Sequence, residues 1–110
     1  MTTSEVIGTY ARVLFDLASA ADAVDAADEG LRTVVDAVRG SMELREVLAD
    51  AAIPGDKKRE ILRDLFADVA SPEAVAVATL VVERGAAKSL GDVYRSFGEI
   101  AETERGIVVA

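Results

Sequence analysis

Apolar residues recur along this chain at three- and four-residue spacing, interrupted at Gly40-Ser41, Ile53-Pro54-Gly55, Ser71-Pro72 and Gly85. That period predicts an all-α fold of about six helices. The most apolar of them covers residues 71–85, SPEAVAVATLVVERG. Ser71 can cap it, Pro72 suits its first position, Glu73 meets the positive end of the dipole, and Gly85 can close it with φ > 0. Between Glu73 and Glu83 every residue except Thr79 is apolar. A helix apolar almost all round is either surrounded by other helices or crosses a membrane. A crossing needs ~20 apolar residues, about twice this run, so the segment reads as the central helix of a soluble bundle.

Two helices carry more apolar surface than a bundle needs. At ~100° per residue, Ala74, Val75, Ala78, Val81 and Val82 form the broad side of the central helix. Ala76 and Leu80 fall on the other side, among Glu73, Thr79, Glu83 and Arg84. They read either as two ordinary exposed apolar residues or as the floor of a groove for another helix. The first helix, expected to start near Ser4 with Glu5 in its opening turn, repeats the feature. Its apolar arc is roughly 200° wide, against the ~100° a bundle-surface helix requires. Val6, Tyr10, Val13 and Leu17 occupy one side, and Ile7, Ala11, Leu14, Phe15 and Ala18 the other. One side is expected to enter the core, leaving the other spare.

The remaining segments are ordinary amphipathic helices. Residues 22–39 place Val24, Ala27, Leu31, Val34, Val35 and Val38 at helical spacing, with Gly30 weakening the helix by up to ~1 kcal/mol relative to alanine. Residues 42–50 point Leu44, Val47 and Leu48 inward. The next helix, KKREILRDLFADV, has Asp56 as candidate cap and is expected to bury Ile61, Leu62, Leu65, Phe66 and Val69. The last carries Leu90, Val93, Tyr94, Phe97, Ile100 and Ala101 and is expected to end near Arg105-Gly106. Ile107-Val108-Val109-Ala110 is β-branched and apolar, unlike a helix end or a solvated tail. Residues 1–105 therefore read as a helical bundle domain and 106–110 as the start of a truncated second domain.

A chain of 110 residues without cysteine can bury a core without disulfides, and it offers no thiolate zinc site. There is no histidine, which removes the commonest general base and transition-metal ligand. Twelve basic against 20 acidic side chains give a net charge of −8, which argues against nucleic acid as a partner. With no signal peptide or membrane span visible, the protein is expected in the cytosol, or at a membrane through its partners.

Catalytic signals are weak. Asp56-Lys57-Lys58 follows no glycine-rich phosphate loop. Asp22, Asp25, Asp28 and Glu29 have the spacing of a wet helix face and lack the central glycine turn of a calcium loop. No pair of carboxylates is singled out for acid–base work. Tyr10 and Tyr94 sit on apolar stripes, as core or interface residues do. The sequence thus reads as a non-enzyme, with no catalytic residue, no cofactor and no metal.

Four stretches resemble a known family. YARVLFDLA (residues 10–18) is similar to the first-helix signature of the delta subunit of F-type ATP synthase, called OSCP in mitochondria. IPGDKKREILRDLF (53–66) resembles that family's junction between third and fourth helices, LVVERGAAKSLGDVYRSF (80–97) its fifth-to-sixth-helix junction, and ERGIVVA (104–110) the entry to its second, strand-containing domain. One departure is that Ala86 and Ala87, not a basic residue, follow the junction glycine, whereas Arg84 precedes it.

The resemblance implies the N-terminal six-helix bundle of a non-catalytic peripheral-stalk subunit. Such a bundle binds the N-terminal helix of an ATP synthase α subunit in a groove between its first and fifth helices. The C-terminal part of the subunit, missing here, joins the b subunits, linking F1 to the membrane in proton-driven ATP synthesis. The expected location is the cytoplasmic face of the cell membrane, peripheral and without insertion. Carried over by position, the contacts for the α-subunit helix are Tyr10, Val13, Ala76 and Leu80, flanked by Val6, Leu17, Thr79 and Glu83. The alternative is a helical interaction module, unrelated to ATP synthase, that self-associates through the same faces.

Overall fold

The computed structural model describes residues 2–104, and within them six α-helices and one 3₁₀ turn form the bundle. The helices are α1 (Thr3–Ala20), α2 (Val24–Gly40), α3 (Met42–Ala49), α4 (Gly55–Phe66), α5 (Pro72–Glu83) and α6 (Leu90–Glu104), with the 3₁₀ turn Ala87–Ser89 before α6. The second-domain expectation for 106–110 lies outside the described residues.

Local chemistry sets most of the boundaries. Side-chain oxygens of Thr2, Ser41 and Ser71 accept from the backbone N–H of Glu5, Leu44 and Ala74, capping α1, α3 and α5. Beyond α5, Gly85 takes φ +76°. Its N–H reaches Val82 O at 3.0 Å, and that of Ala86 reaches Val81 O at 3.0 Å. This pair of bonds satisfies the last carbonyls of the helix in the Schellman arrangement. The same closure ends α1, with Asp22 at φ 53° in the place of glycine and Ala23 N–H on Ala18 O at 2.8 Å. Because Asp22 and Ala23 are used in that turn, α2 begins at Val24 rather than Asp22. Similarly, Asp56 does not cap α4. Pro54, extended at φ −60° and ψ 149°, is the N-cap, so the helix starts at Gly55 and Asp56 falls inside the first turn.

Packing of α2, α3, α4 and α6 follows the predicted stripes with two exceptions. α5 is the central element and packs against α1, α2 and α4, while α1 also lies along α6. Leu14, Leu31, Leu48, Leu62, Val77, Val81, Val82, Val93 and Phe97 are fully buried, and the Phe15 and Phe97 rings meet at 6.3 Å between centroids. α2 approaches α5 closely only because residue 30 is glycine: a Cβ there would lie 2.9 Å from Ser71 N and 3.0 Å from Ala74 Cβ. The exceptions are Leu65 and Val69, expected inside but exposed. α4 ends at Phe66, so Val69 belongs to the turn beyond it, and Leu65 borders an open groove against α3.

Candidate functional site

The spare apolar residues divide cleanly on α1. Ala11, Leu14, Phe15 and Ala18 enter the core, whereas Val13 is 37% and Leu17 45% exposed. Val6 is half-buried against the core cluster. Tyr10 is only 7% exposed and is part of the core, although it lies on the Val6–Leu17 side of the helical wheel. Its ring straddles the edge between the two faces and is largely covered.

On α5, Ala76 is exposed and Leu80 39% exposed, as their place among polar neighbours predicts. Thr79 is 7% exposed. Its hydroxyl donates to Val75 O at 2.7 Å, so the group is satisfied within its own helix and the side chain packs like a valine. Glu83 is half-buried and turns toward α4, with Oε1 2.8 Å from Arg59 Nε.

Among the described residues, the α5 members border a groove of about 650 Å³ lined by Val75, Ala76, Thr79, Leu80 and Glu83 on one side and by Arg59, Arg63 and Ala67 of α4 and its end on the other. No residue of α1 lines this cavity. The groove thus opens on the α4 flank of α5, while α1, with Val13 and Leu17 outward, packs against α5 separately. Arg59 and Arg63 did not emerge from the sequence as site residues. Their i,i+4 spacing puts them on one face of α4, but which helix that face meets is a tertiary fact.

Two other concavities differ in chemistry. One of about 490 Å³ lies between α2, α3 and the start of α6, with Arg39, Arg45 and Lys88 at its rim. Arg45 is committed there, since its Nη1 donates to the carbonyls of Val38 and Arg39 and so caps the end of α2. The other, about 560 Å³ between α3 and α4, is lined by Leu44, Val47, Ile61, Leu65 and Phe66. Among the described residues no group of acidic side chains is placed to hold a metal ion, and no helix is long and apolar enough to cross a membrane.

What this geometry defines is an all-α six-helix domain with apolar side chains left outward on α1 and α5, which pack together, and also on α3 and α4. Residues 6–110 match the family model for the ATP synthase delta (OSCP) subunit, and the chain belongs to that family. It is 32% identical over 108 residues to the ATP synthase subunit delta of Brevibacillus brevis, covering 98% of this chain and 62% of that protein. The ATP synthase subunit delta of Desulforamulus reducens is 29% identical over 110 residues, covering 100% of this chain and 61% of its own length. The chain therefore spans about three fifths of the length of these curated relatives.

Proposed function

We propose that this domain is the head-binding part of a peripheral-stalk subunit of F1Fo ATP synthase. It takes the N-terminal helix of an α subunit against α1 and α5 and does no chemistry itself. Family membership supports the setting. The observation that carries the site is the outward placement of Val13 and Leu17 on α1 and of Ala76 and Leu80 on α5, helices packed against each other. A helix laid on such a surface uses apolar anchors at helical spacing. Each well-buried large anchor contributes ~1.5–3 kcal/mol before the losses of association. Three such anchors are enough for the tight joint that a torque-bearing stator requires.

In this reading Val13, Leu17, Ala76 and Leu80 make the contacts, with Val6 and Glu83 at the margin. Tyr10 and Thr79 act from beneath, as core residues that hold the two helices in place. Linkage to the b subunits belongs to the part of the family's length beyond this chain, and the whole assembly sits peripherally on the cytoplasmic face of the cell membrane. Calorimetric titration of the chain with a peptide of the α-subunit N-terminus tests the reading. A 1:1 complex is expected, abolished by Leu80→Asp or Val13→Asp while helicity and melting are retained. A concentration-dependent dimer that ignores the peptide would favour self-association instead.

A further inference from the structure

The α5 face is bordered by unequal flanks, and the α4 flank is basic. Arg59 and Arg63 both line the groove, in a protein of net charge −8. Arg59 is partly engaged: its Nε lies 2.8 Å from Glu83 Oε1, but off the N–H axis, so the buried Nε makes no aligned hydrogen bond. Arg63 stands one turn further along α4, is exposed, and among the described residues makes no ion pair. A guanidinium held beside an apolar floor of Ala76 and Leu80 presents a fork of donors suited to a carboxylate.

We infer that the helix docked on α5 carries an acidic side chain on the flank facing α4, and that Arg63, with Arg59 beside it, pairs with that carboxylate and fixes where the helix sits along the groove. This rests on the function proposed above and adds the chemistry of the partner. The apolar strip of Ala76 and Leu80 is short and offers little to distinguish one register of a greasy helix from the next. A charge pair on one flank selects a single register and excludes a partner that is basic on that side. The grooves beside α3 lack this combination. One has no cation in its lining, and the other, with Arg39, Arg45 and Lys88 at its rim, is lined by no residue of α5.

The test titrates the 110-residue chain and its Arg63→Glu and Arg63→Lys variants with the α-subunit N-terminal peptide, at roughly 50 mM and about 0.5 M salt. Circular dichroism checks that folding is unchanged, as expected for an exposed position. Arg63→Glu is expected to weaken binding about five- to tenfold at low salt and about twofold or less at high salt, with Arg63→Lys, which keeps the charge but loses the fork, falling between it and the parent. Replacing the acids of the peptide by lysine one at a time should reveal a single position that restores binding to Arg63→Glu. If the parent binds and Arg63→Glu binds equally well at both salts, the inference fails while the docking surface stands. If the parent does not bind the peptide at all, both fall.

Discussion

A methyl group added to Gly30 would stand 2.9 Å from the amide nitrogen of Ser71, the residue that caps α5. The helix-weakening glycine of α2 is therefore the point where the central helix is seated. Gly30→Ala should gain about 1 kcal/mol of helix propensity and lose more to the clash, for a net destabilisation of about 1–3 kcal/mol. Gly98→Ala, where a Cβ meets nothing within 4 Å, should stabilise or leave melting unchanged. The melting point should fall below the parent's for Gly30→Ala and should not for Gly98→Ala. A stabilised Gly30→Ala would mean that α2 and α5 are less close than described.

Asp22 closes α1 at φ 53°, a conformation that aspartate tolerates better than most residues but that glycine adopts without steric cost. Asp22→Gly should raise stability by about 1 kcal/mol, visible as a melting point several degrees higher. Gly85→Ala, at φ +76°, should lower it by a similar amount. Equal melting of Asp22→Gly and the parent would show that the aspartate relieves its own strain.

These two positions show where the sequence was legible. The ends of α5 could be read from Ser71, Pro72 and Gly85 because caps are local chemistry. The broad apolar arc of α1 announced two faces, and the Ala11–Leu14–Phe15–Ala18 side did go inward. Burial of Tyr10 was not legible, since a residue at the border of two apolar faces is assigned by its neighbours' shape. Thr79 was misplaced by its letter: the wheel counts a hydroxyl as polar, but here it is satisfied one turn back at Val75 O. The tightness at Gly30 and the arginines beside α5 depend on contacts between segments far apart in sequence, which periodicity does not carry.

The Tyr94 phenol is raised above its ordinary value by burial, with the charge of Asp28, whose Oδ2 lies 3.5 Å from the hydroxyl, adding to it. The neutral phenol is thus favoured in the folded state, and the folded protein holds this proton more tightly than the unfolded chain does. Stability from this source is complete below pH ~10 and falls as pH rises from there through the raised value. Tyr94→Phe should flatten that alkaline decline. Stability curves of parent and variant that stay parallel above pH ~10 would contradict it.

Burial separates Tyr10 from Val13, three residues away. Tyr10→Ala should cost about 3 kcal/mol or more and weaken peptide binding only through unfolding. Val13→Ala should change stability by less than about 1 kcal/mol while weakening binding in the fully folded protein. Denaturant midpoints measured beside peptide affinity distinguish the two. A Val13→Ala variant that unfolds as readily as Tyr10→Ala would place Val13 in the core.

The most direct measurement is amide chemical-shift mapping of the isotopically labelled chain as the α-subunit N-terminal peptide is added. The perturbed signals are expected to cluster at Val13 and Leu17 of α1 and at Ala76, Leu80 and Glu83 of α5, spreading to Arg63 of α4. Signals that move instead around Leu44, Ile61 and Leu65 would put the partner in the α3–α4 groove, and signals that do not move at all would leave the α1 and α5 surface without its occupant.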